Sequence, residues 1–264
     1  MMAVLGFERK DARMLLAFIG MNLRDKYLGS TLGRVWAIAN PLLMLGIFTF
    51  VFGYVLKVKL PGAETTLSYA IWLISGYGPW IATTEALLTS AMSLVASANL
   101  VKNMAFKCEL LPVAGVLTGV VPLAVSVIFL LALLLVDGNY PSWHALWIPV
   151  VALLQFLFLI GVGFFLSSMV VFLKDVGYAL PNVFMVILFA SPIFYPLDSM
   201  PKVVHLLSEF NPFYVIAESY REPLIYHRNP SLLGLMYLLA ISVGLGILGL
   251  KAFRRLRGHF EAAL

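Results

Sequence analysis

LRDKYLGSTLGRVWAIANPLLMLGIFTFVFGYVL, residues 23–56, joins a cationic segment to an uncharged one. Arg24, Lys26 and Arg34 crowd its first 13 residues, and the 21 from Trp36 to Leu56 carry no charge. At about 1.5 Å per residue, a helix of that length matches the roughly 30 Å hydrocarbon core of a bilayer. The chain is therefore expected to enter a membrane here and to leave its positive side behind.

Composition extends that expectation to all 264 residues. Hydrophobic residues make up 61% and charged ones 12%, with a mean hydropathy of +0.95, whereas soluble domains carry about 25% charged residues. An all-α polytopic membrane protein is the expected class. A net charge of +5 would suggest nucleic acid in a soluble chain. Here the cations sit at the ends of apolar segments, where orientation and anionic headgroups account for them, and no nucleic-acid partner is expected. The lone cysteine, Cys108, excludes an internal disulfide and a cysteine-cluster metal site.

Working outward, residues 11–27 read as an amphipathic helix lying in the interface, because Leu15, Leu16, Phe18, Ile19, Leu23 and Tyr27 share one side at helical spacing. No small-x-small cleavage site follows and the cations resume at Arg24, so a signal peptide is not expected. Six spans are expected at 36–56, 67–95, 112–136, 148–173, 178–194 and 232–250, with 57–66 a polar turn and Lys174 and Asp175 stopping the fourth span. Glu85 lies roughly 27 Å along the second span, near the far interface rather than at mid-bilayer. Tyr69 and Trp72 fall in the interfacial aromatic belt; Trp80, about 20 Å deep on the face of Trp72 and Gly76, either packs against another helix or lines a path. Gly115 and Gly119 form a GxxxG pair that permits close helix approach.

Two regions fit no span. Residues 97–111, SANLVKNMAFKCELL, are too short and too charged to cross, and should form a surface helix that needs a partner. Residues 195–230 are broken by five prolines yet remain apolar at 203–210 and 213–220, which suggests two short re-entrant or interfacial helices.

With the N-terminus inside, thirteen of the 18 Lys and Arg fall on that side and five on the other: Lys57, Lys59, Lys202, Arg221 and Arg228. The positive-inside rule thus places both termini in the cytoplasm, with 1–35 and 251–264 flanking one membrane domain over 36–250. The chain lacks GxxxxGK[ST], HExxH and GxSxG, and its four histidines (His144, His205, His227, His259) all lie outside the spans. An ion-coupled carrier would be expected to show intramembrane carboxylates and two related halves. Energy for uphill transport should come from another subunit, and the chain itself is expected not to be an enzyme.

KYLGSTLGRVWAIANPLL (26–43) resembles the approach to the first span in membrane subunits of ABC exporters of cell-surface polysaccharides: capsule, O-antigen and teichoic acid. FLKDVGYALPNVFMVILFASPIFYPLD (172–198) is similar to that family's fifth span and its ending, and NPFY (211–214) to the motif before its last span. Asp25 departs from the family's pattern. The resemblance implies a type-2 ABC exporter permease of the inner membrane: a homodimer bound to two copies of a cytoplasmic ATP-binding subunit, which carries the ATP and magnesium, so that this chain needs no cofactor or metal. Its cargo would be a lipid-linked polysaccharide; a drug, lipid or haem is the alternative. In an organism with a second membrane, a periplasmic adaptor and an outer-membrane exporter would continue the route. The resemblance also gives 11–27 as a gate helix, 97–111 as the coupling helix with Asn99, Lys102, Lys107 and Glu109 toward the ATPase, and the two short helices as an external re-entrant pair. Aromatic faces suit a sliding sugar chain, making Trp72, Tyr77, Trp80, Phe184, Phe194 and Tyr195 candidates for a channel lining. Arg24, Lys26 and Arg34 are candidates for the anchor phosphate, with topology alone as their other reading.

Overall fold

The longest helix, α3 (Thr66–Ala96), is the axis of the molecule. It is rich in serine, threonine, glycine and aromatic residues, and every residue from Tyr69 to Trp80 is buried. Ser75, Thr83, Ser90 and Ser93 on it face protein. The structure, a computed structural model, describes residues 9–26, 28–55, 66–197 and 201–264. Among these, every regular element is helical.

Before α3 come α1 (Arg9–Asp25) and α2 (Trp36–Phe48), which continues as a π-helical stretch, Thr49–Val55. The elbow between α1 and α2 turns through Gly29 and Gly33, both at positive φ, a backbone conformation open to glycine without a steric penalty. After α3 come α4 (Ala98–Asn103), α5 (Leu110–Leu117), α6 (Val120–Val136), α7 (Ile148–Phe172), α8 (Lys174–Ala190), α9 (Lys202–Glu209), α10 (Pro212–Leu224), α11 (Leu232–Leu256) and the terminal turn α12 (Phe260–Ala263). Helices α5, α6, α7, α8 and α10 pack around α3, and α11 lies along α7.

Close approach is bought with glycine. A Cβ at Gly115 would stand 2.6 Å from Ser90 Cα, and one at Gly119 2.6 Å from the Ala82 carbonyl, so the GxxxG pair seats α5 and the start of α6 on α3. Gly161 and Gly249 bring α7 and α11 together in the same way: a Cβ at Gly249 would lie 2.6 Å from the Gly161 carbonyl.

Three continuous helical stretches among the described residues are long and apolar enough to cross a membrane: Leu110–Val136, Trp143–Phe172 and Leu232–Ala263; Trp36–Val51 is a shorter apolar helix. Several boundaries differ from expectation. Lys174 and Asp175 do not merely stop a span: the chain bends at Leu173 and they open α8, where Asp175 lies in the first turn, a favourable place for an anion. The expected surface helix over 97–111 is only α4, because Met104 is extended and the chain turns through 104–109. The last long helix runs to Leu256 rather than 250. The turn expected at 57–66 lies, except for Thr66, outside the described residues.

Candidate functional site

At the end of the molecule where α1, α4 and α12 gather, Leu94, Val101, Cys108, Phe164, Phe253 and Phe260 form a small second core. Burial pushes the Cys108 thiol up from its ordinary pKa, and the nearby Arg257 opposes that shift. Ion pairs tie the 104–109 turn to both flanks. Lys107 Nζ lies 2.6 Å from Asp11 Oδ2 on α1. Glu109, 4% exposed, faces Arg254 Nε at 3.1 Å and Arg257 Nη1 at 3.7 Å from the C-terminal helix. Of the four residues expected to face a partner, Lys107 and Glu109 are thus engaged within the chain, whereas Asn99 and Lys102 on α4 are exposed.

The six channel candidates separate into groups along α3. Tyr77 and Phe194 meet Phe48 at ring-centroid distances of 4.5 and 4.9 Å and each other at 5.3 Å. Trp80 meets Phe213 edge-on at 5.3 Å and Phe184 at 6.5 Å, and Phe213 continues to Phe158. Trp72 stacks under a guanidinium, described below. Those five side chains are all buried within one chain. Tyr195 keeps more surface, its hydroxyl donating to the Phe189 carbonyl at 3.0 Å.

The two sequence motifs of the chain's second half meet in space. In NPFY, Asn211 caps α10, its side-chain oxygen accepting from the N–H groups of Phe213 and Tyr214 at 3.0 and 3.4 Å, with Pro212 at the first helical position. Asn211 Nδ2 also donates to the hydroxyl of buried Ser191, 2.8 Å away, in the turn that ends α8. That turn supplies two more acceptors: the Phe194 carbonyl takes the Tyr69 hydroxyl at 3.2 Å, and the Ile193 carbonyl takes Arg221 Nη2 at 2.6 Å.

Arg221, counted above among the outer-side cations, is only 1% exposed. Its guanidinium lies 3.8 Å from the Trp72 ring centroid and 3.4 Å from Glu218. It takes the space left by the missing side chain of Gly76. Sequence reasoning missed this role; the available signal was that a helix through 213–224 puts Arg221 on the face of Tyr214 and Ala217. Near it, burial raises the Glu222 carboxyl pKa, while the Ser231 N–H and Arg228 oppose the rise. Deeper in, fully buried Gln155 on α7 donates to the Pro79 carbonyl at 3.0 Å and Thr83 Oγ1 at 3.1 Å, and accepts from the Tyr220 hydroxyl at 2.8 Å.

The α1–α2 elbow holds the cationic candidates. Arg24 is exposed in the last turn of α1, and the Arg34 side chain lies outside what is described. Lys26 Nζ reaches across to Glu85 Oε2 on α3 at 2.5 Å. Both residues line a cavity of about 90 Å³ whose other walls include Asn40, Pro41, Met44 and Thr118. No group of three or more His, Cys, Asp or Glu able to hold a metal occurs among the described residues.

The sequence model of a family described as ABC-2 type transporter matches residues 15–225, a stretch that contains the elbow cavity, the aromatic groups and both motifs. The chain is 28% identical to an O-antigen export system permease protein RfbA of Klebsiella pneumoniae and 26% identical to the protein of that name from Myxococcus xanthus, in each case over 95% of both chains. To the polysialic acid transport protein KpsM of Escherichia coli it is 22% identical over 96% of both.

Proposed function

The chain belongs to the ABC-2 type transporter family, and from that premise we propose that it is the membrane-spanning half of an ATP-driven exporter carrying a lipid-linked cell-surface polysaccharide out of the cytoplasm. One observation carries the reading: relatives named for two different polysaccharides, O-antigen and polysialic acid, align with it over nearly its whole length. Two copies form the channel in the inner membrane, and each binds one cytoplasmic ATP-binding subunit, which holds the ATP and magnesium. Helices α2, α3 and α8 complete six spans with the three long apolar stretches, both termini are cytoplasmic, and α9 and α10 form the external re-entrant pair.

In this arrangement α4 meets the ATPase through Asn99 and Lys102, while Lys107 and Glu109 pass its movement to α1 and α11. The aromatic groups of α3, α8 and the following turn form the wall of the passage. Tyr195 offers the sugar chain a weak, repeatable contact, and the buried rings behind it hold the wall's shape. Arg24, Lys26 and Arg34 receive the anchor phosphate, and periplasmic and outer-membrane proteins take the polymer onward where there is a second membrane.

Cells lacking the chain should lose their surface polysaccharide and accumulate lipid-linked polymer inside, both reversed by a plasmid copy. Unchanged surface glycan with no internal accumulation refutes the proposal. Within a working exporter, Tyr195→Ala should lower export several-fold with the complex intact, whereas Trp80→Ala should impair assembly; if Tyr195→Ala exports normally, the contact role is lost.

A further inference from the structure

We propose that the exposed face of α8 is a seam on which a second copy of this chain packs, helix against helix, with Asn182 meeting its own counterpart in the middle of the membrane. The seam rests on the two-copy channel reading above and deepens it: the paired helices close the passage beside Tyr195 when no polymer occupies it.

Helix α8 has two faces. Gly177, Leu180, Phe184 and Leu188 are buried where it packs on α3 and α7, while Tyr178, Asn182, Met185 and Phe189 on the opposite side are exposed. Their spacing of 4, 3 and 4 residues is that of a heptad seam between two helices lying side by side. Asn182 sits eight residues from each end of the 17-residue helix, so about 12 Å from either end. Its amide is exposed, and no hydrogen bond holds it among the described residues. Facing lipid at that depth, its donor and acceptor would both go unmet, which hydrocarbon penalises heavily. Within the described parts of the six spans the other exposed amide is Asn40 on α2, and that one borders the elbow cavity. The open faces of α2 and α11 are apolar, with Leu43, Ile47 and Phe50 on one and Met236, Val243 and Ile247 on the other. Lipid covers those without such a cost.

An asparagine amide is its own complement, donating through Nδ2 and accepting through Oδ1. Two copies inserted the same way are related by a two-fold axis along the membrane normal, so equivalent helices run parallel and each seam residue meets its equivalent at the same depth. Asn182 then satisfies its counterpart, in the way that a single asparagine in the seam of parallel helices fixes their register. The charges are self-complementary too. At the start of α8, Lys174 and Asp175 are exposed neighbours of opposite sign, so each copy offers its cation to the other's carboxylate. Ala179, exposed beside the stripe, leaves room for close approach. At its far end the seam runs into the wall assigned to the passage: the Phe189 ring lies 5.7 Å from that of Phe194, and the Phe189 carbonyl accepts from the Tyr195 hydroxyl.

The test introduces single cysteines into the full-length chain in its native membrane and oxidises them with copper phenanthroline. Wild type, whose lone Cys108 is buried, gives the background. Tyr178→Cys, Met185→Cys and Phe189→Cys should form disulfide-linked dimers at several times the yield of Val183→Cys, which is exposed but lies off the stripe. Oxidised Met185→Cys should stop exporting and recover on reduction; continued export removes the closing role. Added to Met185→Cys, Asn182→Asp should lower the linked fraction several-fold, because two carboxylates would face each other, whereas Asn182→Gln should preserve it. Equal yields from those two variants overturn the amide pairing. Yields without the stripe pattern overturn the seam altogether, as does linkage through Leu43→Cys or Ile47→Cys on α2 in its place. Native mass spectrometry of the unlinked complex then separates the causes: two copies leave the channel reading standing, and one copy removes both.

Discussion

Arg221 shows how a single side chain can be placed by an absence. Gly76 lacks the Cβ that would occupy the guanidinium's space, Trp72 provides an aromatic face at 3.8 Å, and Ile193 provides a carbonyl at 2.6 Å. Arg221→Met should therefore lower the stability of the purified protein by roughly 2–3 kcal/mol, the sum expected for a cation–π contact and a charged hydrogen bond, read as a fall in melting temperature. Gly76→Ala should act in the same direction. Combined with Arg221→Met, which vacates the space, it should add little, and full additivity would show that the two residues do not share the site. The helical face of Arg221 was legible in the sequence but its partners were not, and an arginine in a proline-rich segment reads there as a surface cation that sets orientation. Glu85 was more legible: its distance along the helix placed it away from mid-bilayer, but its partner, 59 residues earlier, was not foreseeable from spacing.

At the scale of elements, long apolar runs translated into helices with little error, because a chain without water must satisfy its backbone internally. The ends moved where local chemistry competed. α8 starts at Lys174 because the chain bends at Leu173, and the surface helix shrank to α4 because 104–109 is held in a turn by its ion pairs on either side. Helices α3, α7 and α10 are joined by Gln155, which reaches Pro79, Thr83 and Tyr220. Gln155→Leu and Tyr220→Phe should each lower stability by roughly 1–3 kcal/mol, since buried polar groups lose partners. Their effects should fall short of additive, because both variants break the same bond. A double variant equal to the sum would mean that the Tyr220–Gln155 bond contributes nothing of its own.

For the whole molecule, the two clusters of ion pairs at the termini end make the region around α4 a unit with α1 and α11. Lys102→Glu, on the exposed side, should leave melting temperature unchanged and reduce co-purified ATPase several-fold. Lys107→Glu should act differently, since a second acidic group would face Asp11; it should lower the melting temperature even when the protein is purified alone. Equal behaviour of the two variants would remove the distinction between a docking face and an internal tie. The membrane class, the main helices and the resemblance that led to a polysaccharide exporter permease were all set by the sequence, because hydrophobic length and charge asymmetry are properties of the chain read in order. Which aromatics are buried, which cations are already paired and which turn receives Arg221 were decided only by the tertiary structure, because each depends on residues dozens to more than a hundred positions apart being brought within a few ångströms.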